Sequence, residues 1–306
     1  MKFYKFLIIT IFLNLSLYAN ITEEFPSYKY VFNELDVDEN YIYDRNFQNF
    51  VNRNKYKYKK IFLNSINRGQ LIIPTMRELM YQKDISPLFI YLSMVESAFK
   101  TQAISSSSAG GLWQFVKLTA IDEKMQVNNI IDERYDPIKS TNRAIDYLYK
   151  IHDNLGRWYL TAMAYNCGAG CVQQSIDRAR TKDLKILIDP NANYIRKETR
   201  DYIKKILLFA MIGENYLFKA NDNLGELKYQ FDNDMITPVR VRGGETLQNI
   251  ASILRMDYSI LKKINRHLKR DFVPPNSNIM VNIPTSRVRM FRNIYYGNQR
   301  RARNQY

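Results

Sequence analysis

The 306-residue chain has little of what builds metal centres: two cysteines and two histidines in all. His152 and His267 are the only imidazoles, so a zinc site of the usual ligand type is poorly supported, and no metal or other cofactor is expected. Acidic residues are also in short supply. There are 30 Asp and Glu against 45 Lys and Arg, a formal net charge of +15. Such a balance points to an anionic partner: nucleic acid, a membrane surface or an acidic polymer. Long apolar runs are missing too. The longest candidate, Phe6 to Leu17, is too short for a comfortable membrane span.

That run instead belongs to a recognisable pattern. Lys2 and Lys5 form a basic start, the apolar stretch comes next, and Tyr18-Ala19-Asn20 offers a cleavage point after Ala19. Residues 1–19 therefore read as a secretory signal peptide, with an uncleaved N-terminal anchor as the rival. No cysteine lies near that point, so lipid attachment there is excluded. Export to the periplasm argues against nucleic acid and favours an anionic wall polymer, with room for a weak association with the membrane surface. The two cysteines, Cys167 and Cys171 in NCGAGC, could pair in an oxidising compartment. Four residues of helix is near the limit of disulfide reach, so packed free thiols stand beside a bridge as alternatives.

At 46% hydrophobic, the chain can fill a main domain and a small one. Residues 20–75, with few Gly or Pro, read as an N-terminal extension of helical turns that packs on the next domain. A helix is expected over Ile73–Gln82. Asp84-Ile85-Ser86-Pro87 then gives a capping residue and a proline suited to a first helical position. Leu88–Val95 is apolar on nearly all faces, which marks a buried helix, with a buried strand as the rival. A small-residue turn covers 105–111, and LWQFVKLTAIDEK, from Leu112 on, restarts a helix. An amphipathic helix, capped by Ser140 or Thr141, runs to about Asn154 and stops at Gly156. Helices over 157–166, Val172–Arg180 and Glu198–Phe218 complete an all-helical set over 76–220. Residues 221–235 are a polar linker. The order strand, helix, helix, strand then occupies 236–285, and a tail with six Arg and no acid, 286–306, is expected to be disordered.

One acid stands out. In PLFIYLSMVESAF, Glu96 closes a buried helix. Desolvation there should raise its pKa, as a general acid near neutral pH requires, and glycoside cleavage needs such an acid on the leaving oxygen. A salt-bridged structural role is the rival. Small residues come after it, then Trp113-Gln114-Phe115, a set suited to stacking on and hydrogen bonding a sugar, though Trp113 also suits the core. A second cluster, Ala164-Tyr165-Asn166, ends another buried helix at a glycine-rich break. Ordinary glycosidases need a second carboxylate close by, yet no acid lies between Glu96 and Asp122.

Glu96-Ser97, Ser105, Gly111-Leu112-Trp113-Gln114-Phe115, Thr119-Ala120, Ala164-Tyr165-Asn166-Cys167-Gly168 and Glu198-Thr199-Arg200-Asp201-Tyr202 occur in an order that resembles the lytic murein transglycosylases with a lysozyme-like domain. DERYDPIKST at 132–141 fits the same family. The C-terminal unit, through VRVRGGETLQNIA, LKKIN and VNIP, resembles LysM, a βααβ peptidoglycan-binding module. The resemblance implies a mainly α fold, a lysozyme-like helical domain followed by a small βααβ domain. It implies cleavage of the β-1,4 bond between N-acetylmuramic acid and N-acetylglucosamine, with peptidoglycan glycan strands as partner. In family terms Glu96 protonates the leaving oxygen and then acts as base while the muramyl C6 hydroxyl attacks C1. Ser97, Ser105 and Gln114 would lie beside the acid, Tyr165 and Asn166 would orient it or the N-acetyl group, and Glu198 and Tyr202 would support the sugar site. The alternatives are a goose-type lysozyme-like hydrolase and a non-catalytic wall-binding protein. Departures from the family pattern are Ser108, usually Gly, Ala169, often an acid, and the missing lipidation cysteine. Ser108 carries strain if its φ is positive.

Overall fold

The computed structural model describes residues 21–218, 235–275, 277 and 279–297. The expected signal peptide over 1–19, nearly all of the expected 221–235 linker and the last nine residues lie outside these. The chain divides into two compact units, Met1–Leu63 with Leu148–Leu224, and Asn64–Tyr147 with Gly225–Tyr306.

The first unit is helical. Its helices are Ile21–Glu24, Tyr28–Glu34, the start of Arg45–Gly69, the end of Pro137–Leu155, Trp158–Cys167, Ala169–Ala179, Leu184–Leu187 and Lys197–Phe218. Aromatic side chains of the extension fill its core: Phe32 meets Phe47 edge-on at 5.9 Å, and Tyr58 stacks on Phe209 at 5.0 Å. Polar ties finish the seam. The Ser27 amide donates to Asn215 Oδ1, and its hydroxyl donates to the Met211 carbonyl. The Trp158 amide donates to Asp36. The extension therefore does pack on later helices of the chain. His152 lies flat against Trp158, ring centres 3.8 Å apart, which is a packing role.

The second unit holds helices Ile73–Gln82, Ile90–Ser97 and Lys117–Asp122, the first half of Pro137–Leu155, and the C-terminal module. The Ile73–Gln82 helix has the bounds the sequence suggests. The run after Pro87 is helical, opening with a tight turn at Pro87–Phe89 in which the Ser86 hydroxyl accepts from the Leu88 amide. The helix over LWQFVKLTAIDEK starts later than expected, at Lys117, because residues 110–115 are bridged to each other as a loop. The long helix starts earlier, at Pro137, and its cap is Asp136 rather than Ser140 or Thr141. Asp136 Oδ1 accepts from the amides of Ile138 and Lys139, while Ser140 and Thr141 are buried.

The C-terminal module has the expected order. Strand β1, Ile236–Arg240, pairs antiparallel with β2, Met280–Pro284, in the register Val239 to Val281. Helices Leu247–Ile253 and Tyr258–Lys263 lie between them in sequence and start at the side-chain caps Thr246 and Asp257. Leu247, Ile250, Leu261, Ile264, Val281 and Ile283 form its core. The expectation of a disordered tail fails for 286–297. Helical turns run from Thr285 to Tyr296, Phe291 is fully buried, and the Tyr295 hydroxyl accepts from the Arg242 amide. Aromatic side chains interleaved with the arginines outweigh the charge repulsion that suggested disorder.

Candidate active site

The helix Ile90–Ser97 is apolar all round and buried from Ile90 to Met94. Its end is unusual. Ala98 and Phe99 both take positive φ, 49° and 56°, a conformation that costs free energy for side-chain-bearing residues. Local bonds hold the turn. Ser97 is buried, donates to the Ser93 carbonyl and accepts from the Phe99 amide. Arg68 donates to the Ala98 carbonyl at 2.6 Å. Glu96 sits in the last turn of this helix, half-buried.

Residues 103–116 form the next loop. The Ser93 hydroxyl donates to the Leu112 carbonyl at 2.9 Å, tying the loop to the Glu96 helix. Ser105 is half-buried and shapes its own turn: its hydroxyl meets Ser107 and accepts from the Ala109 amide. Ser108 has φ +61°, so the turn does carry the strain anticipated for a non-glycine residue. Gln114, also at positive φ, donates its amide to the carbonyls of Gly111 and Ala103. Trp113 is fully buried and donates to Thr141, so it is a core residue.

Two residues of the quoted motifs to which sequence reasoning gave no role anchor this loop. Gly111 has φ +79°, and a Cβ there would fall 1.9 Å from the Arg134 carbonyl oxygen. Only glycine fits. Arg134, 8% exposed, donates to the Ser108 carbonyl at 2.9 Å and the Phe115 carbonyl at 3.1 Å. A two-bond pair with Asp132 orients it and holds its pKa above the ordinary value. The DERYDP run was the available signal.

The first unit carries the other residues. Tyr165 and Asn166 lie half-buried in the last turn of Trp158–Cys167, which breaks at Gly168, φ +89°. Cys167 and Cys171 are joined in a disulfide with Cα atoms 5.8 Å apart, resolving the two alternatives in favour of the bridge. Gly168 makes this feasible, since it separates the two cysteines onto successive helices. Thr199, buried, donates to Asn166 Oδ1 at 2.7 Å. Glu198 is exposed in the first turn of Lys197–Phe218, where a carboxylate is favoured by the helix dipole, and Tyr202 is buried. A cavity of about 560 Å³ is lined by Asn166, both cysteines, Arg178, Tyr194 and Glu198 among others. The structure thus gathers Glu96, Ser97, Ser105 and Gln114 in one unit, and Tyr165, Asn166, Glu198 and Tyr202 in the other. Among the described residues, no group of His, Cys, Asp and Glu is placed to hold a metal ion, and no helix is long and apolar enough to cross a membrane.

A half-buried acid at a strained helix end, with a tied loop beside it, is placed where a carboxyl group could work as a general acid. Residues 75–188 match the transglycosylase SLT domain, and residues 236–295 match the LysM-like domain of lytic transglycosylase MltD. The chain therefore carries a transglycosylase SLT domain followed by an MltD-type LysM-like domain. Over 167 residues it is 28% identical to the membrane-bound lytic murein transglycosylase D of Escherichia coli strain K12, covering 53% of this chain and 36% of that protein. Among solved structures it is similar to lytic transglycosylase Slt of Pseudomonas aeruginosa, with TM-score 0.39, 23% identity, and coverage of 46% of this chain and 24% of that one. The 70 kDa soluble lytic transglycosylase of Escherichia coli gives TM-score 0.41 and 21% identity over 47% of this chain and 24% of that one. The chain spans about a third of the length of the curated relative.

Proposed function

We propose that this protein is a peptidoglycan lytic transglycosylase. It cleaves the β-1,4 bond between N-acetylmuramic acid and N-acetylglucosamine and leaves a 1,6-anhydro-N-acetylmuramic acid end. The observation that carries the reading is the setting of Glu96, half-buried at the end of an apolar helix within the matched SLT domain. A carboxyl group so placed is partly withdrawn from water, the setting a general acid works in.

The reaction runs through this single acid. Glu96 gives its proton to the glycosidic oxygen as the C1–O bond breaks. The resulting carboxylate then takes the proton of the muramyl C6 hydroxyl as that oxygen bonds to C1. No water is consumed, and the tethered hydroxyl has the entropic advantage of an intramolecular nucleophile. The next acid along the chain, Asp122, is exposed on a separate helix, which fits a scheme without a second carboxylate. Ser105 and Gln114, on the loop that Ser93 ties to the Glu96 helix, would contact the sugar near the acid. Ser97 fixes the helix end. Tyr165 and Asn166 bind the N-acetyl group, and Glu198 and Tyr202 support that binding, all four within the first unit.

The LysM-like module adds affinity for glycan strands. The net charge of +15 suits an anionic wall polymer. The basic, apolar, small-residue pattern of the first 19 residues supports export to the periplasm.

The test incubates the full chain and Glu96→Gln with purified peptidoglycan and identifies the sugar ends by mass spectrometry. Anhydro ends from the unsubstituted protein alone are expected. Reducing ends would make the protein a hydrolase. Binding without any product would make it a wall-binding module.

A further inference from the structure

We propose that the LysM-like module is a brace for the catalytic loop, acting through Arg134 as a positioning residue. The proposal rests on the transglycosylase reading for its kinetic part alone. Its structural part stands on contacts within the second compact unit.

The segment Ile131–Asp136 is gripped on one side by the C-terminal module. Ile131 pairs with Leu268 in an antiparallel bridge, the Asp132 amide donates to the His267 carbonyl at 2.9 Å, and the Lys269 amide donates to the Ile130 carbonyl at 3.1 Å. Lys269 Nζ donates to the Asn128 carbonyl at 2.7 Å and lies 3.8 Å from the Asp132 carboxylate. Asn282 Nδ2, from β2, reaches Asp136 Oδ1 at 3.3 Å. Such a set of main-chain and buried side-chain bonds is unlike the loose attachment of a tethered binding domain.

The other side of the same segment carries the loop. Asp132, 2% exposed, pairs through both oxygens with Arg134 at 2.9 Å. Arg134 Nη1 then forks between the carbonyls of Ser108 and Phe115, which bracket Gln114 and lie just past Ser105. The Arg134 carbonyl oxygen abuts Gly111. One residue therefore links the gripped segment to a loop that holds two non-glycine residues at positive φ, Ser108 and Gln114. Strained backbone of this kind persists only where its surroundings over-determine it. A planar guanidinium with several fixed donors can do this, and a lysine ammonium cannot reproduce the fork.

The test uses the full chain with Arg134→Lys, which keeps the buried charge opposite Asp132, and Lys269→Ala, which loosens the grip from a partly exposed position on the module. Two readouts are taken: amide hydrogen exchange across 103–116, and kcat and KM on a soluble tetrasaccharide of alternating N-acetylglucosamine and N-acetylmuramic acid. Circular dichroism confirms folding. Arg134→Lys is expected to speed exchange in the loop and to lower kcat about tenfold with KM nearly unchanged, the signature of a misplaced site. Lys269→Ala is expected to move both in the same direction by less. Unchanged exchange in folded Arg134→Lys would overturn the positioning role. A Lys269→Ala protein that loses only affinity for insoluble sacculi, with loop exchange and kcat intact, would overturn the brace. If the unsubstituted protein makes no anhydro product, the transglycosylase reading fails while the exchange data still decide the brace.

Discussion

The Thr199 hydroxyl donates to Asn166 Oδ1 at 2.7 Å, across 33 residues of sequence. With Oδ1 engaged, the Asn166 Nδ2 is left as the donor the side chain can present to a substrate. Thr199 is itself buried in the first turn of Lys197–Phe218, so the start of that helix sets the orientation of the Asn166 carboxamide.

Thr199→Val keeps the shape and removes the donor. It should cost about 1 kcal/mol of stability, the usual net worth of one hydrogen bond. It should also lower the rate of anhydro-product formation several-fold, because the carboxamide is free to rotate, and Thr199→Ser should restore most of it. Thermal unfolding together with product assays on all three proteins checks this. Equal rates in the three would remove Asn166 orientation from the account.

Gly111→Ala should be among the most damaging single changes outside the acid. The new Cβ would meet the Arg134 carbonyl oxygen at 1.9 Å on a backbone with φ +79°. A loss of roughly 2–4 kcal/mol is expected, from overlap and strain together. Gly170 offers the contrast. It lies in the helix Ala169–Ala179 with nothing within 4 Å of its added Cβ. Gly170→Ala should stabilise by about 0.5–1 kcal/mol through helix propensity. Urea midpoints for the two variants should move in opposite directions.

Alkaline stability should report on Tyr159. Its hydroxyl donates to the Lys182 carbonyl, and burial pushes its pKa from 10.0 up to about 12. The folded state therefore holds this proton more tightly than the unfolded chain does. Stability is intact below pH 10.0 and falls as the pH rises toward about 12. Tyr159→Phe cannot ionise, so its unfolding temperature should decline less steeply across that window. Tyr41, buried and shifted in the same direction, remains in the variant and accounts for a residual slope. Parallel curves for the two proteins would refute the assignment.

Much of this architecture was readable from local patterns. The Ile73–Gln82 helix, the buried helix before Glu96, the break at Gly168 and the strand-helix-helix-strand order all come from signals a few residues long. Trp113 as core and Ser108 as a strained turn residue were also foreseeable. Local signals misjudged the start of the Lys117 helix, the cap of the Pro137 helix and the order of the tail. At each of these a particular contact decided: the Gly110 to Phe115 bridge, the Asp136 side chain, and the burial of Phe291.

By itself, then, the sequence determined the helical class, the candidate acid Glu96 and the two successive domains. Periodicity, capping residues and motif order act over short stretches of chain. Only the tertiary structure decided that Cys167 and Cys171 are bridged, that Thr199 orients Asn166, and that Arg134 joins the loop to a segment held by the C-terminal module. The bridge depends on the turn that Gly168 makes, and the other two on bonds between residues 26 and more apart. A buried donor or acceptor must find a partner somewhere in the fold, and that partner is set by packing rather than by its neighbours along the chain.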